Sequence, residues 1–157
     1  MQKIVTFLWF DSQAEEAANH YISIFPDSRM LDVMRQDGKV LTVTFQLAGQ
    51  EFIALNGGPH FQFSEAISLF VRCETQEEVD RLWEQLTADG GKESECGWLK
   101  DRYGLSWQII PTSLMEMIGN REHPEKAARA MQAMLQMRKI DVDQLRQAFD
   151  GPSASTA

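Results

Sequence analysis

The residues able to do chemistry concentrate in one stretch, Glu95 to Pro111. Cys96 offers a thiol, and Lys100 stands near enough in sequence to lower its pKa and favour a nucleophilic thiolate. No histidine is placed to serve as its base, so a small buried cysteine is the alternative reading. Asp101 and Glu65 are the two carboxylates that could divide acid–base work if their surroundings separated their pKa values. Asp101 equally suits a turn, since Asp101-Arg102-Tyr103-Gly104 supplies a carboxylate that can bond its own backbone and a glycine tolerant of positive φ. Trp98 and Trp107 flank that turn, with the Gln108 amide beside them. Indole surface with a few polar groups suits the wall of a small-molecule pocket, and equally a hairpin whose tryptophans fill a core. Ser68 and Ser106 lack any G-x-S-x-G context. His20, His60 and His123 are scattered, without an i+4 partner or a neighbouring cysteine, and Cys73 and Cys96 form no CxxC pair. No metal site and no cofactor are expected.

Positioning these groups requires strands and helices in a definite order. Lys3 to Phe10 is an apolar run of strand formers, closed by Asp11-Ser12, which can cap a helix. Ala14, Ala17, Ala18, Tyr21, Ile22 and Phe25 then recur at helical spacing up to Pro26. Arg29–Gln36, Val40–Leu47 and Glu51–Asn56 read as strands separated by turns at Asp37-Gly38 and Gly49-Gln50. After the linker Gly57-Gly58-Pro59-His60-Phe61-Gln62-Phe63, the pattern begins again. Ala66–Cys73 reads as a strand and Glu74–Ala88 as a helix with Val79, Leu82, Trp83 and Leu86 on one face. Lys92–Cys96, Trp98–Tyr103 and Leu105–Ile110 read as three strands. Asp11 to Ala17 parallels Cys73 to Val79 at the strand–helix junction, and Gly49-Gln50-Glu51-Phe52 parallels Gly104-Leu105-Ser106-Trp107. The expected architecture is α+β: two βαβββ modules forming a cleft, followed by C-terminal helices. The expected division is 1–56 and 65–111 for the modules, 57–64 for the linker, 112–150 for the helical extension and 151–157 for a tail. Ser113 and Glu116 have capping-box spacing, Pro124 suits a first helical position, and Asp141 opens the last helix. Ala127, Ala130, Met131, Met134 and Leu135 form a helical stripe that suits an adaptable binding surface or, more commonly, core or a subunit contact.

Composition excludes several classes of partner. The chain has 157 residues, 43% hydrophobic and 24% charged, which is ordinary for a globular protein. A formal net charge of −8 with no run of Lys and Arg argues against nucleic acid and against an anionic membrane surface. No apolar window is long enough for a signal peptide or a membrane span, so the cytoplasm is expected, with both cysteines as thiols.

Several stretches together carry a family resemblance. Cys96-Gly97-Trp98-Leu99-Lys100-Asp101, followed by Gly104, Ser106-Trp107-Gln108-Ile109 and Pro111, resembles the signature of the PhnB-like proteins. These are also called the 3-demethylubiquinone-9 3-methyltransferase domain, within the vicinal oxygen chelate superfamily of glyoxalases, bleomycin resistance proteins and dioxygenases. Phe7-Leu8-Trp9-Phe10, Glu15-Glu16-Ala17, Tyr21 to Pro26, Leu55 to Pro59 and Glu65 to Ser68 match as well, so the resemblance spans residues 3–149. It implies the same paired-module fold and implies no single reaction. Metal-dependent members of that superfamily draw His and Glu ligands from the first and last strands of each module. Here Lys3–Phe10 and Ala66–Arg72 hold no such donor, and by resemblance Gln108 stands where those relatives carry the terminal glutamate. The methyltransferase name implies a glycine-rich strand–helix turn of the Rossmann type, whereas Phe10-Asp11-Ser12-Gln13 holds no glycine.

The expectation is therefore a small-molecule-binding protein without the superfamily's metal. Its cleft would be lined by Trp9, Asn56, Ser68, Trp98, Trp107 and Gln108, with His60 to Phe63 as a lid. Cys96 and Asp101 are the catalytic candidates, and a homodimer is expected because relatives pair modules between subunits. The alternatives are a divergent metal-dependent lyase, isomerase or dioxygenase, and a structural dimer whose cleft is filled by its own side chains.

Overall fold

The computed structural model describes residues 1–152, so the expected tail from Ser153 to Ala157 lies outside the described residues. The chain divides into two compact units, Met1–Phe63 and Ser64–Ala157. Each contains one βαβββ module, as the repeat predicts.

In the first unit, β1 (Thr6–Phe10), α1 (Ala14–Ile24), β2 (Arg29–Gln36), β3 (Lys39–Leu47) and β4 (Gln50–Asn56) follow in chain order. The sheet order is β1-β4-β3-β2, with β1 parallel to β4 and the other pairs antiparallel. The period-2 alternation of the strands decides which face is covered. Leu8, Phe10, Val43, Phe45, Phe52 and Ala54 are buried, together with Ala14, Ala17, Ala18, Tyr21 and Ile24 of α1, which packs across β3 and β4. The alanines let the helix approach closely, while large side chains such as Tyr21 and Phe45 each contribute roughly 1.5–3 kcal/mol by leaving water.

The start of α1 differs from expectation. Neither Asp11 nor Ser12 caps it; the N-cap is Gln13, without a side-chain bond. Parallel pairing sets Phe10 beside Asn56, so the end of β4 lies at the start of the helix. Asn56 Oδ1 accepts from the Ala14 N–H at 2.8 Å, and its Nδ2 donates to the Val40 carbonyl at 3.1 Å. The cap thus comes from a residue far along the chain.

The second unit repeats the plan with β5 (Leu69–Cys73), α2 (Gln76–Thr87), β6 (Lys92–Glu93), β7 (Trp98–Lys100) and β8 (Ser106–Pro111). The sheet order is β5-β8-β7-β6, again with the outer parallel pair, β5 and β8. Here α2 is capped locally, Thr75 Oγ1 accepting from the Glu78 N–H. Val79, Leu82, Trp83 and Leu86 bury one face of α2, which packs on β5, β7 and β8. Strand β6 is shorter than predicted because Cys96 and Gly97 take positive φ, 57° and 84°, and leave the ladder. Their N–H groups donate instead to Met137 and Arg138 carbonyls, each at 2.8 Å. Strand β5 begins at Leu69 rather than Ala66, since Ser64 Oγ draws the Ala66 N–H into a turn.

Beyond β8 come α3 (Thr112–Ile118), α4 (Pro124–Met134) and α5 (Val142–Asp150). They close over a cluster of Ile110, Leu114, Met117, Ala130, Met137, Ile140 and Leu145. Of the predicted stripe, Ala130 is buried and Met134 packs partly buried against this cluster, whereas Met131 and Leu135 are exposed, so the stripe is divided. The predicted capping box at Ser113 does not form, because α3 starts directly after Pro111, which is its N-cap. Pro124 and Asp141 take their predicted places, Asp141 Oδ1 accepting from the Gln144 N–H. Gln76 ties the extension to α2: its Nε2 donates to the Ile140 carbonyl at 2.9 Å and its Oε1 accepts from the Val142 N–H at 2.8 Å.

Replacing Asn56 by Ala is expected to destabilise the protein by about 1–2 kcal/mol, through a lost helix cap and a stranded carbonyl. The urea midpoint measures it, and an unchanged midpoint would remove Asn56 from this role.

Candidate functional site

The predicted turn between β7 and β8 forms around one buried carboxylate. Asp101 is 3% exposed. Its Oδ1 accepts from the backbone N–H groups of Tyr103 at 2.9 Å and Leu105 at 3.0 Å, and its Oδ2 accepts from the Trp107 indole at 2.9 Å. The main chain closes the same loop through Asp101 N–H to the Leu105 carbonyl and Gly104 N–H to the Asp101 carbonyl, both 2.9 Å. Asp101 therefore holds the turn, and its candidacy as an acid or base gives way to that role.

The register then sorts the aromatic and polar side chains onto two faces. Trp98 pairs with Gln108, Leu99 with Trp107, and Lys100 with Ser106. Directly opposed residues share a face, and neighbours along a strand do not. Leu99, Trp107 and Ile109 lie on the face covered by α2, and Trp107 is 2% exposed. The expected pocket wall of two tryptophans is corrected here, because Trp107 is a core residue. Trp98, Lys100, Ser106 and Gln108 lie on the opposite face, which α2 leaves open although Ser106 itself is buried, joined by Phe70 through its pairing with Gln108. Ser68, just ahead of β5, accepts from Gln108 Nε2 on its Oγ at 2.9 Å.

A cavity of about 220 Å³ is bordered by Glu65, Lys92, Glu93, Ser94, Trp98, Lys100 and Ser106 among others. Lys100 and Glu65, both on its border, form an ion pair. The Lys100 ammonium bonded to Glu65, then a backbone hydrogen bond of its own residue, hold the Glu65 carboxyl below the ordinary carboxylate range. Lys100 and Ser106 were not predicted as ligand-binding residues. Strict alternation from Trp98 and Gln108 was the signal that could have found them.

The remaining predicted residues sit in the first unit. Trp9 is half-buried and donates its indole N–H to the Gly58 carbonyl at 2.9 Å, with the Phe61 ring edge-on at 4.9 Å. A Cβ on Gly57 would come within 2.3 Å of the Trp9 ring, so only glycine fits there. The predicted lid is anchored on β1, since Phe63 also packs edge-on against Phe10 at 5.2 Å. His60 is exposed on that linker. Asn56 spends its amide on the α1 start and on Val40, and it also borders a pocket with Ser12, Glu16, Arg35 and Val40, which Trp98 and Gln108 do not line.

The thiols have no nucleophilic setting. Burial, and then Glu78, pushes Cys73 up to about 12. Burial followed by Glu95 also raises Cys96, so the expected lowering by Lys100 is corrected. Among the described residues no three of His, Cys, Asp and Glu converge as metal ligands, and no helix is long and apolar enough to cross a membrane.

Comparison with known proteins adds the following. Residues 2–110 match the family model described as 3-demethylubiquinone-9 3-methyltransferase. A PhnB protein from Bacillus cereus that carries the same family name is 39% identical, with 70% of this chain and 99% of that one covered and a TM-score of 0.66. Protein PA1353 from Pseudomonas aeruginosa is 17% identical over 71% of this chain and 98% of its own, with a TM-score of 0.59, and shares the fold. A glyoxylase/bleomycin resistance protein/dioxygenase domain from Frankia is 16% identical over 71% of this chain and 92% of its own, with a TM-score of 0.48. No curated protein matches significantly.

Two outcomes are expected. Asp101→Ala strands three donors and is expected to cost about 3 kcal/mol or more, read as a urea midpoint shift, with Asp101→Asn intermediate. In native protein at pH 8, Cys96 is expected to react with a disulfide reagent no faster than free cysteine, and Cys73 only after denaturation. A Cys96 faster than free cysteine would restore it as a nucleophile.

Proposed function

The chain belongs to the 3-demethylubiquinone-9 3-methyltransferase (PhnB-like) family, and from that premise we propose that it is a metal-independent small-molecule-binding protein. The binding surface would be the open face of the second sheet. The observation that carries this reading is the Ser68–Gln108 pair, flanked by the half-buried Trp98 indole and by Phe70. By resemblance, Gln108 stands where metal-dependent relatives of the superfamily carry a carboxylate. A neutral amide bonded to a serine hydroxyl does not fit a catalytic transition metal, which needs imidazole, carboxylate or thiolate donors. It suits a ligand held by hydrogen bonds. Gln108 Oε1 remains available to accept and the Ser68 hydroxyl to donate, while Trp98 offers an apolar face.

The methyltransferase in the family name finds no support in the chain. Both sheets are mixed rather than doubly wound and parallel, and neither strand–helix junction carries the glycine-rich turn that cradles a nucleotide cofactor. A homodimer in the cytoplasm completes the reading. Phe7 and Met34, on the open face of the first sheet, are 54% and 52% exposed, which is apolar area suited to a second copy.

Native mass spectrometry of freshly purified protein is expected to show a dimer. A library of neutral aromatic fragments is then screened by NMR, and binders are expected to move the Trp98 indole and Gln108 side-chain signals. Gln108→Ala should weaken such binders about fivefold or more, a loss typical of a hydrogen bond in a pocket. A library in which no fragment moves either signal defeats the reading.

A further inference from the structure

The face that carries the Ser68–Gln108 pair holds a second polar feature which that pair does not explain. Lys100 and Ser106 stand opposite each other across β7 and β8, and both border the cavity of about 220 Å³. Ser106 is 1% exposed, and its Oγ has no hydrogen-bond partner among the described residues. Burying a hydroxyl without a partner is unfavourable, and a hydroxyl at a cavity wall is satisfied by whatever polar atom enters.

The charges around the cavity indicate what kind of atom that is. Of the two carboxylates on its border, Glu93 is already engaged, accepting from the Trp83 indole at 2.6 Å and lying 3.9 Å from Arg138. Glu65 is the partner of Lys100, but it is carried on the connection ahead of β5 and its side chain is 62% exposed. Lys92, on the short strand β6, makes no ion pair among the described residues. The cavity is therefore bordered by two lysines, by the buried Ser106 hydroxyl and by the exposed Ser94, and the carboxylate paired with Lys100 is the solvent-exposed Glu65. Trp98 closes one side with indole surface.

We propose that this cavity is a subsite for a small organic carboxylate. The ligand's carboxylate replaces Glu65 as the partner of Lys100 and accepts from the Ser106 hydroxyl, while its body lies against Trp98. Glu65 is then an internal counter-ion that holds the ammonium in place until the ligand displaces it. An ion pair exchanged for another of the same charge needs no new burial of net charge, which keeps the desolvation cost low. This proposal rests on the reading of the open face as a binding surface.

The test uses benzoate and its neutral isostere benzamide with the 157-residue chain, following the Trp98 indole N–H by NMR. Benzoate is expected to shift that signal saturably and to bind about tenfold more tightly than benzamide, the scale of one charge-assisted contact. Ser106→Ala should weaken benzoate several-fold, and Lys100→Gln should abolish its advantage over benzamide. Glu65→Gln should strengthen benzoate by roughly threefold, since the competing carboxylate is gone. A merely structural ion pair would not give that sign. Benzoate binding that Glu65→Gln leaves unchanged or weakens overturns the displacement. Equal shifts by benzoate and benzamide overturn the carboxylate preference while leaving the binding surface standing. If neither moves Trp98, the subsite is refuted, and neutral fragments at Gln108 decide separately whether the wider surface binds anything.

Discussion

Three donors converge on the Asp101 carboxylate, and much of the second unit follows from that convergence. A buried carboxylate is tolerated only when hydrogen bonds replace its water, and here two backbone N–H groups and an indole do so. The two backbone bonds fix the loop between β7 and β8, and the loop fixes which residues face each other. The indole bond draws Trp107 inward against α2, so one of the hairpin's two indoles becomes core. Everything on the open face, from Trp98 and Gln108 to Lys100 and Ser106, takes its orientation from that register. The polar turn and the apolar core are therefore joined by one side chain.

The two modules also show how one plan can be met by different local chemistry. Both helices begin three or four residues after the first strand, and both need an acceptor for their first N–H groups. Thr75 supplies it for α2 from the adjacent chain position. For α1 the acceptor is Asn56, brought there by the parallel pairing of β1 and β4. At the matching place in the second unit stands Pro111, paired with Cys73, and the chain continues into a helix instead of a linker.

The element order was legible because its signals are local: alternation in strands, helical spacing in α1 and α2, and turn residues between them. What stayed hidden depends on partners distant in sequence or on parity. The cap of α1 lies far along the chain, and no propensity at Asp11 or Ser12 reveals it. The early end of β6 follows from Met137 and Arg138 accepting the N–H groups of Cys96 and Gly97, again a remote cause. Trp98 and Trp107 look alike as flanks of a turn, yet a shift of one residue in parity sends one to the open face and the other to the core. Ser68 and Gln108 were legible as polar groups on the first and last predicted strands of the second module, although their bond to each other was not. Ser106 was passed over because it lacks a nucleophile's context; its meaning lies in burial without a partner, which only coordinates reveal.

Pro111 is both the last residue of β8 and the N-cap of α3, so no residue of slack separates strand from helix. A connection of zero length behaves as a rigid elbow. The ring fixes φ at this joint, and the neighbouring Ile110 is locked into the cluster beneath α3–α5. The helical extension consequently inherits its direction from β8, the strand that also presents Gln108 and Ser106. Twist imposed on that strand reaches the first of the three helices with no loop between them to absorb it.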